Sequence, residues 1–207
     1  IAYAQSKGVD VLLWYNSNGS CNDAPQGPKH RLDSAPARQK EMAWMKALGV
    51  KGIKVDFFGG DKQATMKLYE DILTDANQYG IAVVFHGCTL PRGWERMYPN
   101  HMSSEAALVS ENLVFGQYHA DKEAQRSTLY PFIRNAVSAM DFGGVFFNKH
   151  FSKDGVNGTL RKTTDAFQIA TSVLYQSGIQ HFGITPNNLT EQPEFILDFM
   201  KKVPTVW

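Results

Sequence analysis

An aspartate closes the apolar run Gly52-Ile-Lys-Val-Asp56-Phe-Phe. Ile53, Val55, Phe57 and Phe58 have the β-branched and aromatic character of a buried strand. An ionised carboxylate at its end is costly to desolvate unless something pairs with it or uses it. Two readings are open for Asp56: a cap or brace for the next loop, or a group that does chemistry. Two more carboxylates stand in Ser103-Ser-Glu105-Ala-Ala-Leu-Val-Ser-Glu111, after another candidate strand. Glutamates so spaced are ordinarily solvated surface. These lie among Ala106, Ala107, Leu108 and Val109, with no lysine or arginine close in sequence. Carboxyls from different strand ends can divide the work of glycoside cleavage, one protonating the departing oxygen while the other attacks the anomeric carbon or activates water. A third carboxylate suits a hard cation, and calcium fits better than zinc because no His/Cys cluster has zinc spacing.

The loops supply side chains that suit a sugar. Trp14 and Trp94 can stack on a pyranose face, and Asn16, Lys54, His86 and Arg92 can bond hydroxyls. Each also has an ordinary reading: Trp14 in the core, His86 satisfied at a strand end, Arg92 and Arg96 bracing their own loop. Lys54, two residues before Asp56, points to the same side of the strand and would hold the carboxylate ionised.

The elements that must position these groups follow a repeating pattern in which a helix ends at glycine, a short apolar run follows, and a polar loop leads to the next helix. Strands are expected at Val9 to Tyr15, around Asp56, at Ile81 to Phe85, at Gly143 to Phe147 and at Ile179 to Ile184, with weaker candidates at His101 to Glu105 and Leu113 to Gln117. Between them, Pro36 suits a first helical position, Asp61 and Thr164 suit N-caps, Pro131 suits a helix start, and Thr190 to Lys202 reads as one amphipathic helix. Residues 16–35 form a long Asn, Gly, Ser and Pro-rich loop of the kind that carries function. Alternating strands and helices imply an α/β fold with a parallel sheet. About six strands, against the eight of a (β/α)8 TIM-type barrel, imply an incomplete barrel whose first one or two β/α units lie outside residues 1–207. Strand-end residues of such a barrel are where its chemistry sits.

A net charge of +1, from 21 basic and 20 acidic residues, gives no electrostatic case for nucleic acid or an anionic membrane. No apolar run is long enough to span a bilayer. Cys21 and Cys88 are consistent both with a disulfide and with two thiols. The chain opens in mid-helix and closes at Trp207 on the start of another element, as a piece of a longer protein would.

Together, Gly49-Val-Lys-Gly-Ile-Lys-Val-Asp56-Phe57, His86-Gly87 followed by a proline loop with Gly93 and Trp94, Tyr98-Pro99-Asn100, and the Glu105 to Glu111 pair resemble glycoside hydrolase family 97. The resemblance runs from about Val9 to Trp207 and covers only the catalytic barrel, without the family's N-terminal β-sandwich and C-terminal β-domain. It implies a bacterial exo-acting α-glucosidase or α-galactosidase, periplasmic or otherwise extracytoplasmic, acting on an oligosaccharide or α-glycoside. Asp56 resembles the nucleophile of the retaining branch and Glu111 its acid/base. Calcium, held by Glu105 and Glu111, is implied with them. The inverting branch places its base glutamates at positions that match Asn18 and Gly87, neither of which can accept a proton, so the resemblance favours retention. Two rival readings are a sugar-binding or inactive barrel fragment, and a barrel acting on a phosphorylated metabolite. The second needs a glycine-rich turn feeding a helix N-terminus, which neither Gly143-Gly144 nor Gly183 clearly offers.

Overall fold

A computed structural model describes residues 1–18 and 23–205, arranged as two compact units, Ile1–Ala106 and Ala107–Trp207. Cys21, and with it any pairing to Cys88, lies outside the described residues, as does Trp207.

The first unit runs α1 (Ala2–Ser6), β1 (Leu12–Asn16), α2 (Ala35–Ala47), β2 (Gly52–Asp56), α3 (Gln63–Tyr79), β3 (Ala82–Phe85), α4 (Trp94–Met97) and β4 (His101–Ser104). All four strands are parallel, in the order β1-β2-β3-β4. Strand periodicity divides the sheet into two chemically different faces. Tyr15, Ile53, Val55, Val83 and Phe85 point one way, into a core completed by Met42 and Met45 of α2 and by Leu68, Tyr69, Ile72 and Leu73 of α3. Trp14, Asn16, Lys54 and Asp56 alternate with them, and the register sets Trp14 beside Lys54 and Asn16 beside Asp56. Each fully buried aliphatic side chain contributes about 1.5–3 kcal/mol, so the apolar layer fixes which face the polar residues must take.

Helix α3 stops at Gly80, whose φ of 70° suits the left-handed C-terminal turn. It begins at Gln63, with Lys62 and not Asp61 at the N-cap. Inside the apolar layer sits a charge that sequence patterning does not reveal. Arg38 of α2 is 4% exposed, donates Nε to Asp75 of α3 at 2.7 Å and Nη1 to the Leu32 carbonyl at 3.0 Å.

The second unit contains a 3-10 helix (Ser110–Phe115), α5 (Gln117–Ile133), β5 (Gly144–Val145), β6 (His150–Phe151), β7 (Thr159–Leu160), α6 (Asp165–Leu174), β8 (His181–Phe182), α7 (Asn188–Glu191) and α8 (Glu194–Lys202). β5 pairs with β8 in parallel, and β6 with β7 as an antiparallel hairpin. Its apolar cluster is small: Val109, Met140, Phe142 and Tyr175, with the Phe142 and Tyr175 rings stacked at 4.1 Å.

Several expectations are corrected here. Residues 113–117 are not a strand, because Ser110 Oγ donates to the Phe142 and Gly144 carbonyls and fixes a tight helical turn in their place. Pro131 does not start a helix but lies in the last turn of α5. It has no N–H for the Ser127 carbonyl four residues back, and the Tyr175 hydroxyl donates to that carbonyl at 2.5 Å. The expected final helix is two, α7 and α8, separated at Pro193. Thr164 does cap α6, its Oγ1 accepting from Phe167 N at 3.1 Å. Gly143-Gly144 leads into a strand and not a helix N-terminus, which removes the phosphate-binding context there.

Candidate active site

Asp56 ends β2 half-buried, and its carboxylate is held from two sides. Oδ1 accepts from Phe57 N at 2.7 Å and Oδ2 from the Trp14 indole Nε1 at 3.2 Å. Parallel pairing of β1 and β2 brings that indole across from the strand end, and the Trp14 ring meets Phe57 edge-on at 5.6 Å. Two charge-assisted hydrogen bonds fix the plane of the carboxylate. Asp56 caps no helix, since α3 starts only at Gln63.

The backbone around it is strained and closely packed. Phe57 has φ of 62°, which costs a bulky L residue about 1–2 kcal/mol. This turn aims the Phe57 N–H back at the carboxylate and leaves the Phe57 carbonyl to accept from Ser17 Oγ at 2.9 Å. Gly87, at the end of β3, has φ of 47°, and a Cβ there would lie 2.7 Å from Asp56 Oδ1 and 2.8 Å from Phe57 N. Only glycine fits against the carboxylate. Gly87 also joins neighbouring strand ends, its carbonyl accepting from Phe58 N at 2.9 Å and its N–H donating to Glu105 Oε2 at 2.9 Å. Glu105, 8% exposed, lies 3.6 Å from Nδ1 of the buried His86. The hard carboxylate oxygens of Glu105 suit calcium better than the His86 imidazole does.

The other expected residues separate into groups. Lys54 is half-buried on the Asp56 face of β2. Arg92 is exposed and donates Nη1 to the Leu90 carbonyl at 2.7 Å, bracing its own loop. Trp94 is corrected from a sugar platform to a core residue: it is 1% exposed and stacks on Tyr69 at 4.6 Å, on the helix-facing side of the sheet. Asn16 is likewise corrected, being fully buried, with Nδ2 donating to the Gln26 carbonyl at 2.7 Å and Oδ1 accepting from Asn18 N at 2.8 Å. Glu111, in the second unit, is half-buried in the first turn of the 3-10 helix that Ser110 pins. The pattern missed Trp14 as a donor to Asp56 and Gly87 as the clearance beside it. His86-Gly87 directly after an apolar strand was the available signal for the second.

The glycoside hydrolase 97 family model matches residues 1–107. A probable retaining alpha-galactosidase of Streptomyces bingchenggensis is 30% identical over the whole chain, which covers 28% of that protein. A retaining alpha-galactosidase of Bacteroides thetaiotaomicron is 26% identical, with 29% of its length covered. Among solved structures, a beta-arabinopyranosidase matches the whole chain at 58% identity and a TM-score of 0.95, with 33% of that chain covered. The chain thus spans about a third of the length of the relatives it matches.

Proposed function

Because the chain belongs to the glycoside hydrolase 97 family, we propose that it carries part of the catalytic barrel of an exo-acting retaining glycosidase for terminal galacto-configured pyranosides. The observation that carries this is the Asp56 carboxylate, half-buried at a parallel strand end, oriented by Trp14 and Phe57, and given clearance by Gly87. The barrel reading is supported by the sequential order of β1 to β4 and by a core that gathers α2, α3 and α4 on one face of the sheet. A doubly wound sheet reverses its order and covers both faces.

Asp56 attacks the anomeric carbon and forms a glycosyl ester while Glu111 protonates the glycosidic oxygen. Glu111, then a base, removes a proton from water, which displaces Asp56 and releases the sugar with its configuration retained. An aspartate oriented by two N–H donors starts with one oxygen lone pair aimed along a fixed direction. Retention is supported by the names of both curated relatives and by Gly87, where a base glutamate would displace the Asp56 carboxylate. Lys54 remains a candidate for sugar hydroxyls, while His86 is buried beside Glu105 and Arg92 braces its own loop. Calcium belongs to the proposal: Glu105 and Glu111 would hold it through carboxylate oxygens, Glu111 using one oxygen while the other carries the transferable proton, and the ion would supply Lewis-acid charge stabilisation. An extracytoplasmic location is also proposed, on family resemblance.

For substrate, the relatives' names favour galactosides and arabinopyranosides over glucosides. These two classes are chemically related: the L-arabinopyranose ring has the hydroxyl configuration of galactose without the C6 hydroxymethyl group. The test is hydrolysis of aryl β-L-arabinopyranoside, α-galactoside and α-glucoside, with the released anomer followed by NMR. Turnover of either galacto-configured substrate with retention is expected. Inversion, or a preference for the glucoside, overturns the proposal.

A further inference from the structure

A second concave site lies entirely within the second unit. It is a cleft of about 750 Å³, of the size that takes a small ligand. Phe147 and Asn148 follow β5 and Thr185 follows β8, so it opens beyond the carboxyl ends of a parallel strand pair, where α/β sheets bind their ligands. Its wall is prearranged. Asn148 Oδ1 accepts from Nδ2 of Asn187 at 3.0 Å and of Asn188 at 2.9 Å, while its Nδ2 donates to Thr185 Oγ1 at 2.9 Å. Arg161, 1% exposed behind this wall, donates to the Phe147 and Asn148 carbonyls and fixes the strand end.

The lining chooses among ligand classes. Asp165 is paired with Arg161 and Asp154 is consumed by its own turn, accepting from Val156 N and Asn157 N at 2.9 Å each. With Asp165 paired, Lys149 and Lys153 share the lining with the anionic Asp154 and Glu191, and neither sign dominates. A phosphate or a bare cation would need a one-sign site. Amides, a hydroxyl and an imidazole offer donors and acceptors side by side, as sugar hydroxyls require, over the apolar edge of Phe147. His150 also lines the cleft, and its buried Nδ1 has no hydrogen-bond partner among the described residues, which leaves its ring nitrogens unclaimed by the wall.

The geometry points to a second carbohydrate-binding subsite in this cleft, taking a neutral pyranose through Asn187, Thr185 and His150. The choice of ligand rests on the glycosidase reading, while the site itself does not depend on turnover. The test is NMR titration of the chain with free D-galactose and L-arabinose, following the side-chain NH2 signals of Asn148, Asn187 and Asn188. Saturable shifts in the millimolar range are expected. Asn187→Ala, at an exposed position that leaves the core intact, should weaken binding about tenfold through one lost hydrogen bond. Thr185→Val reports on the same wall if the first variant disturbs it. Unmoved amide signals, or shifts produced by inorganic phosphate and not by either sugar, overturn the subsite even where aryl glycosides are hydrolysed. Saturable shifts without any hydrolysis uphold the subsite and count against the proposed activity alone.

Discussion

The two units bury polar groups in opposite ways. In the first, a broad apolar layer between sheet and helices excludes polar side chains from one sheet face, and the other collects Trp14, Lys54 and Asp56. In the second, the apolar cluster has four buried members, and a polar network takes over. There Glu123 accepts from Thr163 Oγ1 and Gln168 Nε2, both at 2.7 Å, while Arg161 crosses to the end of β5. Apolar layering fixes which way a strand faces but tolerates variation in its contacts. A hydrogen-bonded network fixes particular atoms and loses much when one partner goes. The Asp56 carboxylate is accordingly held in one direction by hydrogen bonds even in the apolar unit.

Replacing Asp56 tests the centre of that contrast and has the largest expected effect. Asp56→Ala should lower turnover on the order of 10⁴-fold or more, with azide restoring activity by attacking in its place and giving a glycosyl azide of inverted configuration. Persistent turnover that azide does not change would remove Asp56 from the nucleophile's role. Next in size is Arg38→Ala, which leaves Asp75 buried without its cation. Breaking such a pair costs about 3–5 kcal/mol, read from urea unfolding of the first unit. A loss below about 1 kcal/mol would mean that the apolar layer alone holds α2 to α3.

Trp14→Phe is subtler, because it keeps the ring against Phe57 and removes only the N–H to Asp56 Oδ2. A hydrogen bond to a charged group contributes about 1.5–3 kcal/mol, so kcat should fall roughly tenfold to a hundredfold with KM little changed. A raised KM at constant kcat would instead place the Trp14 ring against the sugar. The variant thus separates positioning from stacking, which sequence could not do. The sequence pattern offered both Trp14 and Trp94 as sugar platforms and gave the core reading to Trp14. Only the fold shows that one faces the carboxylate and the other packs among Tyr69 and Phe85.

How far the sequence could be read follows the same division. The strands and helices around Ile53, Val55, Leu68 and Ile72 were legible, because burial on one face imposes a period that the residue types record. Asp56 stood out as the exception to that period. In the second unit the signal fails at Pro131 and at residues 113–117. There the backbone is satisfied by the Tyr175 hydroxyl and by Ser110 Oγ, whose partners are remote in sequence and whose roles no local pattern announces. Gly87 was visible as a glycine after a strand, but its need for a positive φ and its 2.7 Å limit against Asp56 belong to the tertiary structure.

The smallest expected effect is also the most specific to the polar unit. Burial pushes the Glu123 carboxyl above its ordinary value of 4.5, against the opposing pull of the Gln168 and Thr163 hydrogen bonds and the Arg161 charge. Above that ordinary value the folded state keeps a proton that the unfolded chain has released, so stability is fullest below it and falls as pH rises through the folded value. Glu123→Gln removes this titration. The introduced amide oxygen can still accept from one donor, and the Thr163 hydroxyl can rotate to accept from the amide NH2. Urea midpoints of the second unit should therefore depend less on pH in the variant, with stability at neutral pH within about 1 kcal/mol of the parent. Parallel curves would show that Glu123 binds its proton equally well in the folded and unfolded chain. A loss of several kcal/mol at every pH would show that its charge, and not only its hydrogen bonds, holds Thr163 and Gln168 in place.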